Sequence, residues 1–472
     1  MILASFLVFL AGFTAIGLWS WRTSRGTQKD YYLAEHSVAP WLVGLSAVAT
    51  NNSGYMFIGV IGYTYSTGLA AVWLMVGWIL GDFLGSMLIH RRLHQATLRT
   101  GEHSYLGVLS NWQGTDMRVF RLCASLLALV FLMVYASAQL VAGSKALLVL
   151  LEWPAYVGAM VGAGIVVAYC MAGGIRASIW TDAAQAFVMV FAMGLLLWAA
   201  LQTLGGPGAA LQQLQAVPGY LSPTPDQAFL PGWGGAALLL VGWLFAGLSV
   251  VGQPHVMVRF MALQRGSAMT RARVWYYTWF VIFYCMATAV GMLTRILLPD
   301  SASFDAELAL PTLALELLPP VLVGLILAGI FAATISTADS LVLACSSIVV
   351  CDLRGDTRNL RLAKWATLGV TAGALGWALV NRQSVFSLVV MSWSTLAAAF
   401  VPVLILLALG RKISQTTALL VMVCGVTVAL LWRFAGLHRS LYEGLPAICA
   451  ALLLYPVLSR ILPKRTEPAS AL

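Results

Sequence analysis

The sequence predicts an all-α integral membrane protein of about thirteen transmembrane helices. Three observations carry that expectation. Of 472 residues, 60% are hydrophobic and 9% charged, whereas a soluble domain carries about 25% charged residues. Apolar runs of 18 or more residues recur along the whole chain, each able to span a hydrocarbon core of roughly 30 Å as a helix. Lys and Arg are sorted unequally between alternate loops, the mark of a multi-pass topology.

The first run, 1–21, has no positive leading segment and no small-residue cleavage site, so it reads as a span and not as a signal peptide. Runs at 40–64, 69–90, 119–145, 153–176 and 180–203 follow, then a loop at 204–232. Next come 233–262 and 271–297, a second long loop at 298–317, and 318–350. The last four runs are 360–381, 383–409, 416–436 and 441–462. One set of alternate loops holds 22 cations, among them Arg176, Arg259, Arg358, Lys464 and Arg465; the other holds 5, including Lys145 and Arg382. This split places the N-terminus outside and the C-terminus in the cytoplasm. It also accounts for the net charge of +10, and no basic, aromatic-rich block points to nucleic acid. The second long loop, with Asp300, Asp305, Glu307 and Glu316, reads as a solvated segment. The seven cysteines lie in or at the ends of spans without CxxC pairs and read as small hydrophobes. No phosphate loop or covalent-catalysis constellation appears, so an enzyme is not expected.

Two runs are interrupted. ATNNSG, from Ala49 to Gly54, breaks the second, and GLSVVGQPH, from Gly247 to His255, breaks the seventh. Transporters built from inverted five-helix repeats open each repeat with a broken helix and bind solute where the breaks meet. The expected organisation is an extra N-terminal helix and loop at 1–39, repeats at 40–203 and 233–409, and C-terminal helices at 410–472. A broken helix frees carbonyls that suit a hard cation and amides that suit a carboxylate. Asn51, Asn52 and Ser53 would serve the irregular turn or a ligand. A simple kink would not need two adjacent asparagines.

The ninth run supplies a complement. Ala333, Ser336 and Thr337 share one helical face at i, i+3 and i+4. One carbonyl and two hydroxyls, with carbonyls from the first break, make an oxygen-only cage for a hard cation. Asp339 and Ser340 stand beside it, and an ionisable residue inside a span is a functional candidate by default. Asp182 either hands a cation to the inner aqueous path, caps its helix, or pairs with Arg176. Asp82 reads as interfacial or packed.

Seven blocks in order resemble the sodium:solute symporter family, and within it the sodium/proline branch. They are DYYLAEHSVAPW (30–41), SAVATNNSGYMFIG (46–59), VYASAQLVAGSK (134–145), GGIRASIWTDAAQ (173–185), GQPHVMVRFMAL (252–263), AATISTADSLVLACSS (332–347) and SWSTLAAAFVP (392–402). The resemblance implies a LeuT-type five-plus-five inverted-repeat fold and Na⁺-coupled import of a small solute in the cytoplasmic membrane. It places Na⁺ on Ala49, Asn52, Ala333, Ser336 and Thr337, with Asp182 on the inner sodium route. Asp339 and Ser340 could hold a second ion. Tyr135 and Pro254 carry over to the solute site, joined in this reading by Asn51, Ser53, Gly54, Trp243 and Trp393. The acid expected in the first break is Asn51, and two expected aromatics are Ala246 and Val250. Proline or a related amino acid is the leading solute. A sugar or monocarboxylate symporter, or a transporter-like sensor, is the alternative.

Overall fold

A computed structural model describes residues 1–22, 25–224, 229–298, 304–355, 359–380 and 384–461. Asp300, Arg358, Arg382, Lys464 and Arg465 lie outside these residues. Among the described residues the structure is helical, apart from one β-bridge pairing Val38 with Leu263. Burying apolar helices in lipid leaves no other way to satisfy each backbone group locally.

Ten helical stretches are long and apolar enough to cross a bilayer. Two of them exceed a single crossing: Pro40–Thr100 has 61 residues and Ala155–Thr203 has 49, where about 20 suffice. The first is divided near Gly68. The second turns at Gly174, whose φ of +56° and close approach to the Tyr31 carbonyl, 2.5 Å from where a Cβ would lie, require glycine. Leu360–Val380 is a 21-residue helix that carries Arg361 and Lys364 at its start and is not among the ten. A count of thirteen needs both divided stretches read as two crossings and Leu360–Val380 as one more.

Pro320–Leu353 and Val385–Ala408 form the centre of the bundle, each about nine-tenths buried. Peripheral helices show an apolar outer stripe instead, such as Leu80, Phe83, Leu84 and Met87 on Val72–Thr100. That helix meets Gly232–Leu248 backbone to backbone. A Cβ on Gly81 would lie 1.8 Å from the Leu244 carbonyl oxygen, and one on Gly247 2.0 Å from that of Trp78.

The two long loops are more structured than their composition suggests. The first contains the helix Pro207–Gln215, and Tyr220 Oη donates to the Thr64 and Tyr65 carbonyls at 3.0 and 3.1 Å. The second is not merely solvated. Lys145 Nζ binds Asp305 at 2.8 Å and Glu307 at 2.7 Å. Glu307, nearly buried, also accepts the backbone N–H groups of Val385 and Phe386 at 3.1 and 2.9 Å. A carboxylate at that helix start is favoured by the orphan amides and the dipole.

Candidate ion and solute site

The first break falls at Ser53, which adopts φ +49° and ψ 179° in the middle of an otherwise helical segment. A non-glycine residue with positive φ is uncommon, and here it interrupts the i→i−4 ladder. Local groups restore part of what is lost. Gly54 N–H donates to Gln139 Oε1 at 2.9 Å, and Tyr55 N–H to Ser53 Oγ at 3.1 Å. Tyr135 Oη reaches Ser53 Oγ at 3.4 Å.

The freed carbonyls face the helix Pro320–Ser347. Ser336 Oγ lies 3.4 Å from the Ala49 carbonyl oxygen and Thr337 Oγ1 2.9 Å from that of Thr50. Both hydroxyls also reach the Ala333 carbonyl, at 3.1 and 3.2 Å. Ala49, Ala333, Ser336 and Thr337 are therefore brought together. Asn52 sits at the same break, but its carbonyl accepts Tyr55 N–H, and neither side-chain polar atom has a protein partner among the described residues. The Thr50 carbonyl was not singled out from the sequence, although any residue in the last turn before a break frees its carbonyl in the same way. The donor set is neutral and all oxygen, which fits Na⁺ as cargo.

One helical turn further on lies a buried charge cluster. Asp182 accepts from Ser46 Oγ at 2.6 Å and pairs with Arg259 Nη2 at 3.2 Å. Asp339 accepts from Ser178 Oγ and Ser340 Oγ, both at 3.0 Å. Ser178 Oγ is also 3.3 Å from Asp182, so the two carboxylates are neighbours. Arg259 Nη2 binds Ser178 Oγ at 2.9 Å and also Ser340 Oγ, and Nη1 binds the His255 carbonyl at 2.5 Å. All three ionisable groups are buried. This corrects two expectations. Arg259 is no loop cation, and Asp182 pairs with it and not with Arg176, which binds Asp30 at 2.5 Å. Asp82 is packed in the interior and not interfacial.

The second break is a 3₁₀ turn, Ser249–Gly252, then an extended Gln253 and a fresh helix from Pro254, where the missing N–H costs nothing. Gln253 Nε2 donates to the Ser249 and Trp393 carbonyls at 3.2 and 3.0 Å. The His255 ring stands perpendicular to Tyr135 with centroids 5.3 Å apart, and 6.2 Å from Trp393. Neither His255 nitrogen has a protein partner among the described residues. Sequence reasoning passed over His255, although it follows the Pro254 it selected. Buried polar atoms without partners cost about 1–3 kcal/mol each, and those on Asn51, Asn52, Gln139, Gln253 and His255 lie at or beside the two breaks.

Trp243 is placed differently from Tyr135 and Trp393. It stacks on Trp78 and Tyr442 at 6.0 and 5.8 Å, beside Phe386 and Tyr63, which stack on each other at 5.2 Å. Tyr55 continues the stack onto Phe386 at 5.3 Å. This aromatic plug lies on the Lys145–Glu307 side of the breaks. On the opposite side a narrow cleft runs from Pro254, Arg259 and Ser340 to Tyr32, His103 and Ser104. Burial, with the Lys29 charge nearby, holds the His103 imidazole below its ordinary pKa.

Comparison with known proteins places the chain in a family and a fold. The high-affinity proline transporter PutP of Bacillus subtilis is 31% identical over 92% of both chains. The sodium/proline symporter of Escherichia coli is 28% identical over 94% of this chain and 90% of that one. Among solved structures, a Na⁺-coupled sialic acid symporter in a substrate-bound outward-open state superposes with a TM-score of 0.82 at 18% identity, over 98% of each chain. A nucleobase-cation-symport-1 family transporter follows with a TM-score of 0.57 at 16% identity, over 93% of this chain and 96% of that one. The LeuT-type helical fold is thereby established. The family model for the sodium:solute symporter family matches residues 31–425, and the chain belongs to that family.

Proposed function

We propose that this protein imports a small amino acid, proline first, together with Na⁺, by alternating access around the two breaks. The observation that carries the reading is the meeting of the Ser336 and Thr337 hydroxyls with the Ala49 and Thr50 carbonyls across the first break. The names of the similar proteins supply proline as the first solute to test. Na⁺ is held on Ala49, Thr50, Ala333, Ser336 and Thr337, with Asn52 adjacent. The solute lies between Ser53–Gly54 and Pro254, against Tyr135 and Trp393. Trp243 acts from the plug above, and Asp182, Asp339 and Ser340 line the ion's inner route.

The repeats at 40–203 and 233–409 then carry one break each. The cytoplasmic side is that of the cation-rich loops, so the cleft at His103 opens inward and the aromatic plug closes the outside. One Na⁺ crossing about 100 mV releases roughly 2.3 kcal/mol. A tenfold ion gradient adds about 1.4 kcal/mol. That is enough for a several-hundred-fold accumulation of a neutral solute.

Competition of labelled proline uptake by amino acids, sugars and monocarboxylates tests the solute. The expected result is Na⁺-stimulated proline uptake, inhibited by amino acids only. Ala246 and Val250, small where aromatics are expected, leave room for larger amino acids to compete as well as proline does. Uptake of a sugar or monocarboxylate without proline would sink the assignment. Orientation is tested with His103→Cys. An impermeant maleimide should label it above the wild-type background in inside-out vesicles and not in intact cells. The reverse pattern would invert the topology.

A further inference from the structure

A second buried acid stands apart from the charge cluster. Asp82 is fully buried in Val72–Thr100, and no cation pairs with it among the described residues. Both of its oxygens instead receive tyrosine hydroxyls, from Tyr276 at 2.5 Å and Tyr277 at 3.1 Å. The Tyr276 oxygen in turn accepts from Asn51 Nδ2 at 2.6 Å. This sequence of donors sets a direction. A hydroxyl that gives its single proton to a carboxylate has only lone pairs left to offer. With Asp82 ionised, Asn51 therefore turns its NH₂ toward Tyr276, as it does here, and its carbonyl oxygen away. That oxygen, Asn51 Oδ1, is buried at the first break and has no protein partner among the described residues.

We propose that Asp82 and Tyr276 are positioning residues that hold Asn51 as a hydrogen-bond acceptor for the amine of the solute. The relay supplies, with a neutral amide, the acceptor oxygen that an acid at this position would present in either orientation. It also assigns the two ends of a zwitterion. Gln139 Oε1 is taken by Gly54 N–H, which turns Nε2 the other way, and among the described residues Gln139 Nε2 and Asn52 Nδ2 are buried donors without a partner. These donors suit the carboxylate, and Asn51 the amine. This inference rests on the proposed reading of the solute as an amino acid.

The test uses labelled proline uptake in Asp82→Asn, Tyr276→Phe and the double variant Asp82→Asn/Asn51→Asp. Asparagine at 82 can donate to Tyr276, whose hydroxyl then points at Asn51 and reverses the amide. Asp82→Asn should raise the KM for proline about tenfold or more, the range of a lost hydrogen bond to a charged group, with the maximal rate held. Tyr276→Phe should do the same. Adding Asn51→Asp should restore KM, because a carboxylate accepts in either orientation. Inhibition by cyclopentanecarboxylate, which has the carboxylate but no amine, should not change. An unchanged KM in both single variants, failure of Asn51→Asp to restore it, or a shift in Na⁺ half-saturation in place of proline KM would overturn the relay. A wild-type protein without Na⁺-stimulated proline uptake would overturn the amino-acid reading and this inference together.

Discussion

Arg259→Met is expected to destabilise the protein by about 3–5 kcal/mol, the cost of stripping one partner from a buried ion pair, and to abolish uptake. Among the described residues the guanidinium is the single cation that binds Asp182 and the serines around Asp339. Without it two neighbouring carboxylates remain in a low-dielectric interior. Removing both partners of the pair, Arg259→Met with Asp182→Asn, should recover most of the stability, because the net buried charge returns to its original value. The melting temperature and monodisperse fraction of purified protein read the effect. A single variant that melts with the wild type would show that the cluster carries no such charge balance. A double variant that folds yet does not transport would separate the ion route from the fold.

The second large effect concerns the cage. Ser336→Ala and Thr337→Ala should each raise the Na⁺ concentration for half-maximal uptake about ten- to a hundredfold, since a contact to a charged group is worth roughly 1.5–3 kcal/mol. Thr337 Oγ1 makes the shorter contact across the break, 2.9 Å against 3.4 Å for Ser336, so its loss should be the larger. Expression should hold, because both hydroxyls also have a local Ala333 carbonyl as partner and alanine suits a helix. Wild-type Na⁺ dependence in both variants would move the ion elsewhere.

The fold was readable because lipid imposes long apolar helices, and because polar, glycine and proline residues inside such runs are conspicuous. NNSG and GQPH were found that way, and both are real breaks. Ser336 and Thr337 were singled out by their helical spacing together with Asp339 beside them. Arg259 was not. Five residues beyond Pro254, at the end of an apolar run, it looks like every other loop cation, and only its partners on three distant helices, at Ser46, at Ser178 and Asp182, and at Ser340, reveal its burial. Glu307 was hidden for the same reason, since an acid in a loop with three other acids carries no local sign of Lys145 or of the helix start it caps. The Asp82–Tyr276–Asn51 relay joins three segments more than 20 residues apart in sequence. The direction of its hydrogen bonds exists only once all three meet.

The glycine contact between Val72–Thr100 and Gly232–Leu248 has a mechanical consequence. Backbones that touch at Gly81 and Gly247 leave no side-chain layer in which to slide, so the two helices turn as one stiff lever. The bending must fall at the ends of that unit, at Gly68 on one side and at the Ser249–Gly252 turn on the other. Val72–Thr100 has 29 residues, a rod about 43 Å long at 1.5 Å per residue. A tilt of about 10° about one end would carry the other by roughly 7 Å over that length. A pivot of about 10° at the breaks is thereby geared up into a displacement of several ångströms at the rim.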